Sequence, residues 1–357
     1  MELIRPDINI NFVGMRNKAF ILSGVVILLG MIVLALRGGL NMGVDFAGGT
    51  LIQVKFKSAV TPDTIRNAVK ELADQSTIQQ IGASGDNEFL IRTDTITSEL
   101  QSLSKRVEED LNKAFGEGQA SVRRVEMVGP KVGQDLRQKA FFAIYYALLF
   151  IGIYISGRFE FKWAVSAIMG GVLMLGIYLL EAIGANPAFL IAAALVVTLV
   201  LCWVLKLPYA LGALLSLVHD IIITVGFFAL TNKEFTLEVV AALLTLAGYS
   251  LNDTIIVYDR IRENRNKDRK VPFAQMINGA INQTLSRTLL TSSTVFFVIL
   301  CLFVMGGTVI HDFSFAMLIG IVTGTYSSIF VASPILILYE DLTKGKRKPK
   351  RAAAQPA

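Results

Sequence analysis

Few ionisable side chains in this 357-residue chain stand inside apolar runs, and those few are where chemistry would be done. Asp253 follows Asn252 within LLTLAGYSLNDTIIVYDRIREN, Leu243 to Asn264. His219 and Asp220 lie midway along a second run, 208–230. Arg287 stands in the polar string NQTLSRT, Asn282 to Thr288, at the opening of a third run, 287–306. A carboxylate inside hydrocarbon costs several kcal/mol unless it faces a partner or water. Two readings fit Asp253. It is a neutral or hydrogen-bonded residue that glues helices through Asn252 and Thr254, or it is linked to a proton or another ion. It lies seven residues before Arg260, which at 1.5 Å per residue is roughly 10 Å below the charged surface. Arg287 also has two readings. It snorkels from a helix end, or it pairs with Asp253 as a two-state element in which protonating the Asp releases the Arg. His219 and Asp220 are adjacent, and neighbours on a helix point in different directions. They are therefore not expected to form one dyad, and Asp220 stands as a separate ion-coupling candidate.

Enzymatic chemistry has no visible seat. There is no P-loop lysine, no HExxH and no CxxC, so neither an enzyme nor a bound cofactor or metal is expected. Cys202 and Cys301 both sit in apolar runs and read as small buried hydrophobes. The formal charge of +6 is not a nucleic-acid footprint. Residues 38–138 hold 12 Lys+Arg against 14 Asp+Glu. The positive surplus lies in short segments beside apolar runs, where it orients a membrane protein. With no ATP site in view, the energy would come from an ion gradient or from a partner.

The elements that must position these residues follow from hydropathy. Hydrophobic residues are 53% of the chain, beyond an ordinary soluble domain. Residues 1–18 read as a short cytoplasmic start and 19–36 as a first span, retained rather than cleaved. Seven more apolar runs follow, at about 139–156, 164–183, 188–205, 208–230, 236–258, 287–306 and 313–339. With the N-terminus inside, the inside loops collect Arg158, Lys162, Lys206 and six basic residues from Arg260 to Lys270, whereas the short outside loops hold only Lys233. Residues 340–357 form a basic cytoplasmic tail that can touch anionic lipid.

The region 38–138 is polar and alternates legibly. Leu51–Phe56 is a strand, Thr61-Pro62-Asp63 starts a helix that runs through Leu72, and Ser76–Ile81 and Glu88–Thr93 are strands around a turn at Gly82–Asn87. A helix with Leu100, Leu103, Val107, Leu111 and Ala114 on one face follows, then a strand at Ala120–Val128. The order βαββαβ is that of a ferredoxin-like α+β module. It contains no His and no Cys, and it reads as a binding or mechanical platform. The whole is a polytopic α-helical membrane protein of about eight transmembrane helices with one such extramembrane domain.

Five segments then point to a family. GVDFAGGT (Gly43–Thr50), VGPKVG (Val128–Gly133), SLVHD (Ser216–Asp220), GYSLNDTIIVYDRIREN (Gly248–Asn264) and NQTLSRTLLTSSTV (Asn282–Val295) resemble the SecF family of the bacterial Sec protein-export machinery. The first of them also fits its partner family, SecD. The resemblance spans roughly Asn11 to Leu342 and places the chain among RND-type transporters. It implies an inner-membrane subunit that, with SecD, draws exported polypeptide outward on the proton or sodium gradient after the ATP-driven step. It implies SecD and the SecYEG channel as partners, with YajC and YidC beside them, and a periplasmic seat for the βαββαβ module. It implies ion coupling at Asp253 and Arg287, with Asn252 and Asp220 beside them. Asp45, Gly48, Gly49, Gly129 and Pro130 fall in its structural motifs. The family usually has six spans. Here RFEFKW (Arg158–Trp163) is followed by an inserted pair, about 164–205, before ALGALLSLVHD. Two rivals stay open: a half-size RND-type exporter of lipids or small molecules, and a passive scaffold of a membrane complex.

Overall fold

A computed structural model describes residues 8–69, 77–81, 85, 87–93 and 100–344. The expected helical continuation through Leu72, most of the Gly82–Asn87 turn, residues 1–7 and the tail beyond Lys344 lie outside the described residues. After a 3-10 turn at Val13–Met15, helix α1 runs Arg16–Leu36. The extramembrane module then unfolds in order: α2 (Val44–Ala47), β1 (Gly49–Phe56), α3 (Pro62–Ala68), β2 (Thr77–Ile81), β3 (Glu88–Thr93), α4 (Leu100–Phe115) and β4 (Ala120–Val128). The helical bundle follows: α5 (Pro130–Glu160), α6 (Trp163–Ala182), α7 (Pro187–Val204), α8 (Pro208–Thr231), α9 (Leu237–Lys267), α10 (Phe273–Met305) and α11 (Gly307–Ser327). A π-helical turn, Ser328–Ala332, joins α11 to α12 (Ser333–Lys344).

The sheet has the order β2-β3-β1-β4 with every neighbouring pair antiparallel. That is the ferredoxin-like arrangement the βαββαβ pattern predicts. Alternation drives it: Ile52, Val54 and Phe56 of β1 and Phe89 and Ile91 of β3 all point into one buried core. Ile65 and Val69 from the α3 side and Leu103, Val107 and Leu111 of α4 close that core. The module therefore has a hydrophobic centre of its own.

Among the described residues seven helices are long and apolar enough to cross a membrane, and Phe189–Val204 of α7 is an eighth, shorter apolar helix. Helices α9 and α10 reach 31 and 33 residues, well past their apolar runs. The charged end of α9 stays helical with support from the i,i+4 pair Glu263–Lys267 and the i,i+3 pair Arg260–Glu263. Asn278 and Asn282 of α10 there hold the backbone of Ile10 and Val13. Arg287 therefore lies near the middle of α10 rather than at its opening. Cys202 is buried as expected, but Cys301 is exposed on the outer face of α10 beside Leu302 and Val298.

The inserted pair α6 and α7 packs on α5 through Phe142, Tyr145, Leu149, Ile177 and Ala194. Its two ends are tied together. Lys162 Nζ donates to Leu205 O at 2.8 Å and Lys206 O at 3.0 Å. Glu160 Oε1 accepts the Tyr209 N–H at 2.8 Å, so the last residue of α5 satisfies an orphan donor at the start of α8. Helix α1 crosses α8 where Gly30 meets Gly226; a Cβ on Gly30 would stand 2.9 Å from Gly226 Cα. Gly30→Val is expected to force the two helices apart at a cost of about 1–3 kcal/mol. The check is thermal unfolding of the purified chain in detergent, and an unchanged midpoint would show that the crossing is not tightly packed.

Candidate functional site

Two places collect the predicted residues. The first is a joint between the sheet module and the bundle. Gly48 adopts φ 79° and ψ 171°, a backbone region essentially reserved for glycine. A Cβ there would stand 2.9 Å from Pro130 Cα, and one on Gly133 would stand 3.1 Å from Gly48 N. The GVDFAGGT and VGPKVG segments thus lock into each other, with Gly129 capping α5 and Pro130 as its first residue. Gly49, at φ 120°, opens β1 beside Val128 of β4. Asp45 Oδ2 accepts the Leu237 N–H at 3.0 Å, placing a carboxylate at the N-terminus of α9, where the helix dipole favours it. Gly43 N–H donates to Phe235 O at 2.9 Å and Phe235 N–H to Asn41 O at 2.8 Å, a short bridge between the module's first loop and the α8–α9 turn.

Beside this joint is a cavity of about 360 Å³ with Asp45, Glu126, Glu234 and Glu238 in its wall. Burial pushes the Glu234 carboxyl above its usual range; Arg92 pulls it back, while Asp312 and Asp45 push it further up. The sign follows: a carboxyl raised in the folded state adds stability at acid pH, and that stability is lost as pH rises through the raised value. Glu234→Gln should leave the joint less sensitive to pH. Thermal unfolding at about pH 5 and about pH 8 checks this, since wild type should gain more on acidification than the variant. Equal gains in the two proteins would remove Glu234 from the balance.

The second place is the bundle interior. Asp253, 2% exposed, projects from mid-α9 and accepts from Ser292 Oγ of α10 at 2.9 Å. Thr325 of α11 donates to Ser292 Oγ at 2.8 Å, so a hydroxyl chain from two helices supports the carboxylate. Asn252 and Arg287 are exposed on the bundle surface. Among the described residues no ion pair joins Arg287 to Asp253, and the anticipated pair is open in this arrangement. The reason is direction: position 287 of α10 faces outward, whereas positions 284, 288 and 292 face in.

Asp220 is wholly buried on α8, with Ser250 of α9 donating at 2.7 Å and Ser327 of α11 at 2.8 Å to its Oδ2. Ser250 is one turn from Asp253, so the two carboxylates occupy neighbouring levels of one polar seam through α8, α9, α10 and α11. His219 is part of it. Its Nδ1 lies 2.9 Å from Asp220 Oδ1, which corrects the expectation that the two cannot meet. Cβ directions on successive residues diverge, but the imidazole is long enough to swing back across the backbone to the carboxylate.

Ser23, Ser250, Ser292, Thr325, Tyr326 and Ser327 are partners that reading for charge passes over. For Ser292, Thr325, Tyr326 and Ser327 the signal is the strings TSST (Thr291–Thr294) and TYSS (Thr325–Ser328) inside otherwise apolar runs, whereas Ser23 and Ser250 stand singly. Hydroxyl-bearing residues at helix–helix contacts in membranes are bonding groups, not neutral filler.

Comparison with known proteins accords with this layout. A family model described as "Protein export membrane protein SecD/SecF, C-terminal" matches residues 107–197 and 181–342, and a "SecD/SecF GG Motif" model matches residues 36–60. The chain is 39% identical over 348 residues to "Protein translocase subunit SecF" of Calditerrivibrio nitroreducens, covering 96% of this chain and 98% of that one. It is 40% identical over 360 residues to the protein of the same name from Magnetococcus marinus, covering all of both. The crystal structure of SecDF, a translocon-associated membrane protein from Thermus thermophilus, matches with a TM-score of 0.73 at 30% identity. That match covers 95% of this chain and 40% of the longer SecDF chain. With its motifs, fold and full-length relatives in agreement, the chain belongs to the SecF family of protein-export membrane proteins.

Proposed function

We propose that the chain is the SecF subunit of the Sec export machinery and that, with SecD, it uses the proton or sodium gradient to promote the late, ATP-independent part of translocation. The observation that carries the coupling is Asp253, a buried carboxylate whose hydrogen-bond partner is a hydroxyl rather than a cation. Such a group is retained inside a bundle at a cost, and loading it with a proton or ion removes that cost. Asn252 and Arg287 stand exposed on the neighbouring helices α9 and α10, on a surface open to a partner. SecD is that partner: the matched SecDF chain is a single polypeptide of which this chain spans only about 40%. Once SecD covers that face, Arg287 gains a desolvated position from which to answer the charge at Asp253.

The polar seam changes its packing with that charge, α9 transmits the change to Asp45 at its N-terminus, and the sheet module moves with the joint. In this reading the chain sits in the bacterial inner membrane with the sheet module in the periplasm and both termini in the cytoplasm. Basic residues Arg260 to Lys270, at the end of α9 remote from the sheet, support that orientation. SecYEG, with YajC and YidC beside it, is reached through SecD, and the translocating chain is engaged on the periplasmic side.

The test is late export of a secreted reporter in membrane vesicles with an imposed gradient, with and without the chain. Gradient-dependent stimulation that needs both the chain and SecD supports the reading. Stimulation that is the same after the gradient is collapsed leaves a passive scaffold. Purification with a second RND-type half and no Sec component favours a small-molecule or lipid exporter.

A further inference from the structure

The Asp220 site differs from the Asp253 site in its imidazole neighbour. On one edge of the ring, His219 Nδ1 faces Asp220 Oδ1 at 2.9 Å. On the other, Nε2 is 3.0 Å from Ser23 Oγ of α1. Ser23 Oγ lies 3.1 Å from Tyr326 Oη of α11, and Tyr326 donates to Ala19 O of α1 at 2.8 Å. The ring is also stacked on Tyr326, with centroids 5.9 Å apart. His219, Asp220 and Ser23 are all buried. The groups that face the pair are Ser23 from α1, Ser250 from α9, and Tyr326 and Ser327 from α11. Among the described residues, no Lys, Arg or second carboxylate forms an ion pair with it.

Counting protons along this line sets its state. Each hydroxyl has one hydrogen to give. Tyr326 gives its own to Ala19, so the hydrogen between Tyr326 and Ser23 comes from Ser23. Ser23 then has none for the ring, and Nε2 must be the donor across the 3.0 Å contact. Asp220 Oδ2 is already taken by two serine donors. One hydrogen remains to be placed between Nδ1 and Oδ1, and either atom can hold it. In this arrangement the pair therefore holds that one exchangeable proton and has no net charge. Removing it would set two lone pairs against each other at 2.9 Å. The relief that moves no helix is a reversal of the whole line. The ring hydrogen shifts to Nδ1, Ser23 turns to donate to Nε2, Tyr326 turns to donate to Ser23, and Tyr326 releases Ala19.

We propose that His219 and Asp220 form a second proton-binding station, distinct from Asp253, with Ser23 and Tyr326 as its relay and the Tyr326 bond to α1 as its readout. Its purpose in transport rests on the ion-coupled reading above, but the station can be tested without any export assay. Occupancy decides whether Tyr326 of α11 holds α1 by two hydrogen bonds, through Ala19 O and Ser23 Oγ, or by the Ser23 bond alone, and α1 is the helix that leads into the sheet module's first loop.

The chain has two histidines, so His311→Gln leaves His219 as the only imidazole signal. The experiment is ¹⁵N solid-state NMR of the full chain, labelled at histidine, in vesicles of phosphatidylethanolamine and phosphatidylglycerol, over the range about pH 5 to about pH 9. The expected result is a ring protonated at Nε2, with a shared hydrogen at Nδ1, at the acid end. It should convert to the Nδ1–H tautomer at the alkaline end, and Asp220→Asn should abolish the conversion. Ser23→Ala and Tyr326→Phe should each move the midpoint by about one pH unit, the scale of one lost hydrogen bond.

A His219 signal that keeps one tautomer across the range overturns the station. A midpoint indifferent to both relay variants overturns the relay. If Asp220→Asn fails to accumulate, the profile with Asp220 intact and the two relay variants decide. If His219 behaves as expected while export survives Asp253→Asn, the station stands and the ion-coupled reading of Asp253 falls.

Discussion

Asp253→Asn is expected to abolish gradient-dependent stimulation of export while the chain still folds, inserts and binds SecD. Asparagine keeps the size of the side chain and can still accept from Ser292 Oγ, so the contacts among α9, α10 and α11 survive. What is lost is the group that can change charge. A buried amide needs no ion to neutralise it, and the two states of the site no longer differ in electrostatic cost. The loss should be near complete for the stimulated component, and membrane abundance should stay within about twofold, as expected for a near-isosteric change. Export of a secreted reporter from cells whose only copy carries the substitution measures it, with SecD co-purification alongside. Full stimulation in that strain would take Asp253 out of the mechanism. The companion change Ser292→Ala keeps the titratable group and removes its donor; it should weaken stimulation rather than end it.

Gly48→Ala should be nearly as damaging, by a mechanical route. The backbone at φ 79° and ψ 171° admits almost no other residue, and strain of this kind costs on the order of 1–3 kcal/mol. The added methyl would also meet Pro130 Cα at 2.9 Å, a backbone atom that cannot swing away. The module's own core does not involve Gly48, so β1 to β4 should remain folded. What should fail is the seating of the module on the bundle, with a shift of about tenfold to hundredfold toward the unseated form. Asn41 Nδ2 donates to Asn232 O at 3.3 Å across the joint, so the paired substitutions Asn41→Cys and Asn232→Cys report on seating through disulfide yield, in a background with Cys202→Ala and Cys301→Ala. An unchanged yield in the Gly48→Ala protein would mean that the joint tolerates the strain and that the two glycine segments do not set it.

Hydropathy and alternation made most of the fold legible. The spans follow from apolar length, and the sheet module follows from period-two strands between helical repeats. The polar ends of α9 and α10 lack an apolar signature: charge pairs support the first, and Asn278 and Asn282 anchor the second to the backbone of Ile10 and Val13. Hydropathy therefore places Arg287 at the opening of a span rather than in the middle of α10. The candidate site was legible in its charges and illegible in its partners. Asp253 is conspicuous in an apolar run, whereas Ser292 and Thr325 become informative only when three helices bring them to one carboxylate. Direction was the other gap. Whether position 287 faces Asp253, and whether His219 can reach Asp220, depends on helix rotation and side-chain torsion, which residue spacing alone does not determine.

The tied ends of the α6–α7 pair also bear on how this architecture tolerates change. Closing a loop costs entropy that grows only slowly with its length. Here closure is made locally, by Lys162 on the carbonyls of Leu205 and Lys206 and by Glu160 on Tyr209, whatever the intervening chain does. The junction between α5 and α8 is thus closed independently of the α6–α7 pair, and shortening that pair is expected to leave the register of α5 against α8 unchanged. A fluorescent reporter set in the turn between α6 and α7 would ride on the bundle's rim at the end nearer the sheet joint, where Glu181 accepts from Gln138 of α5.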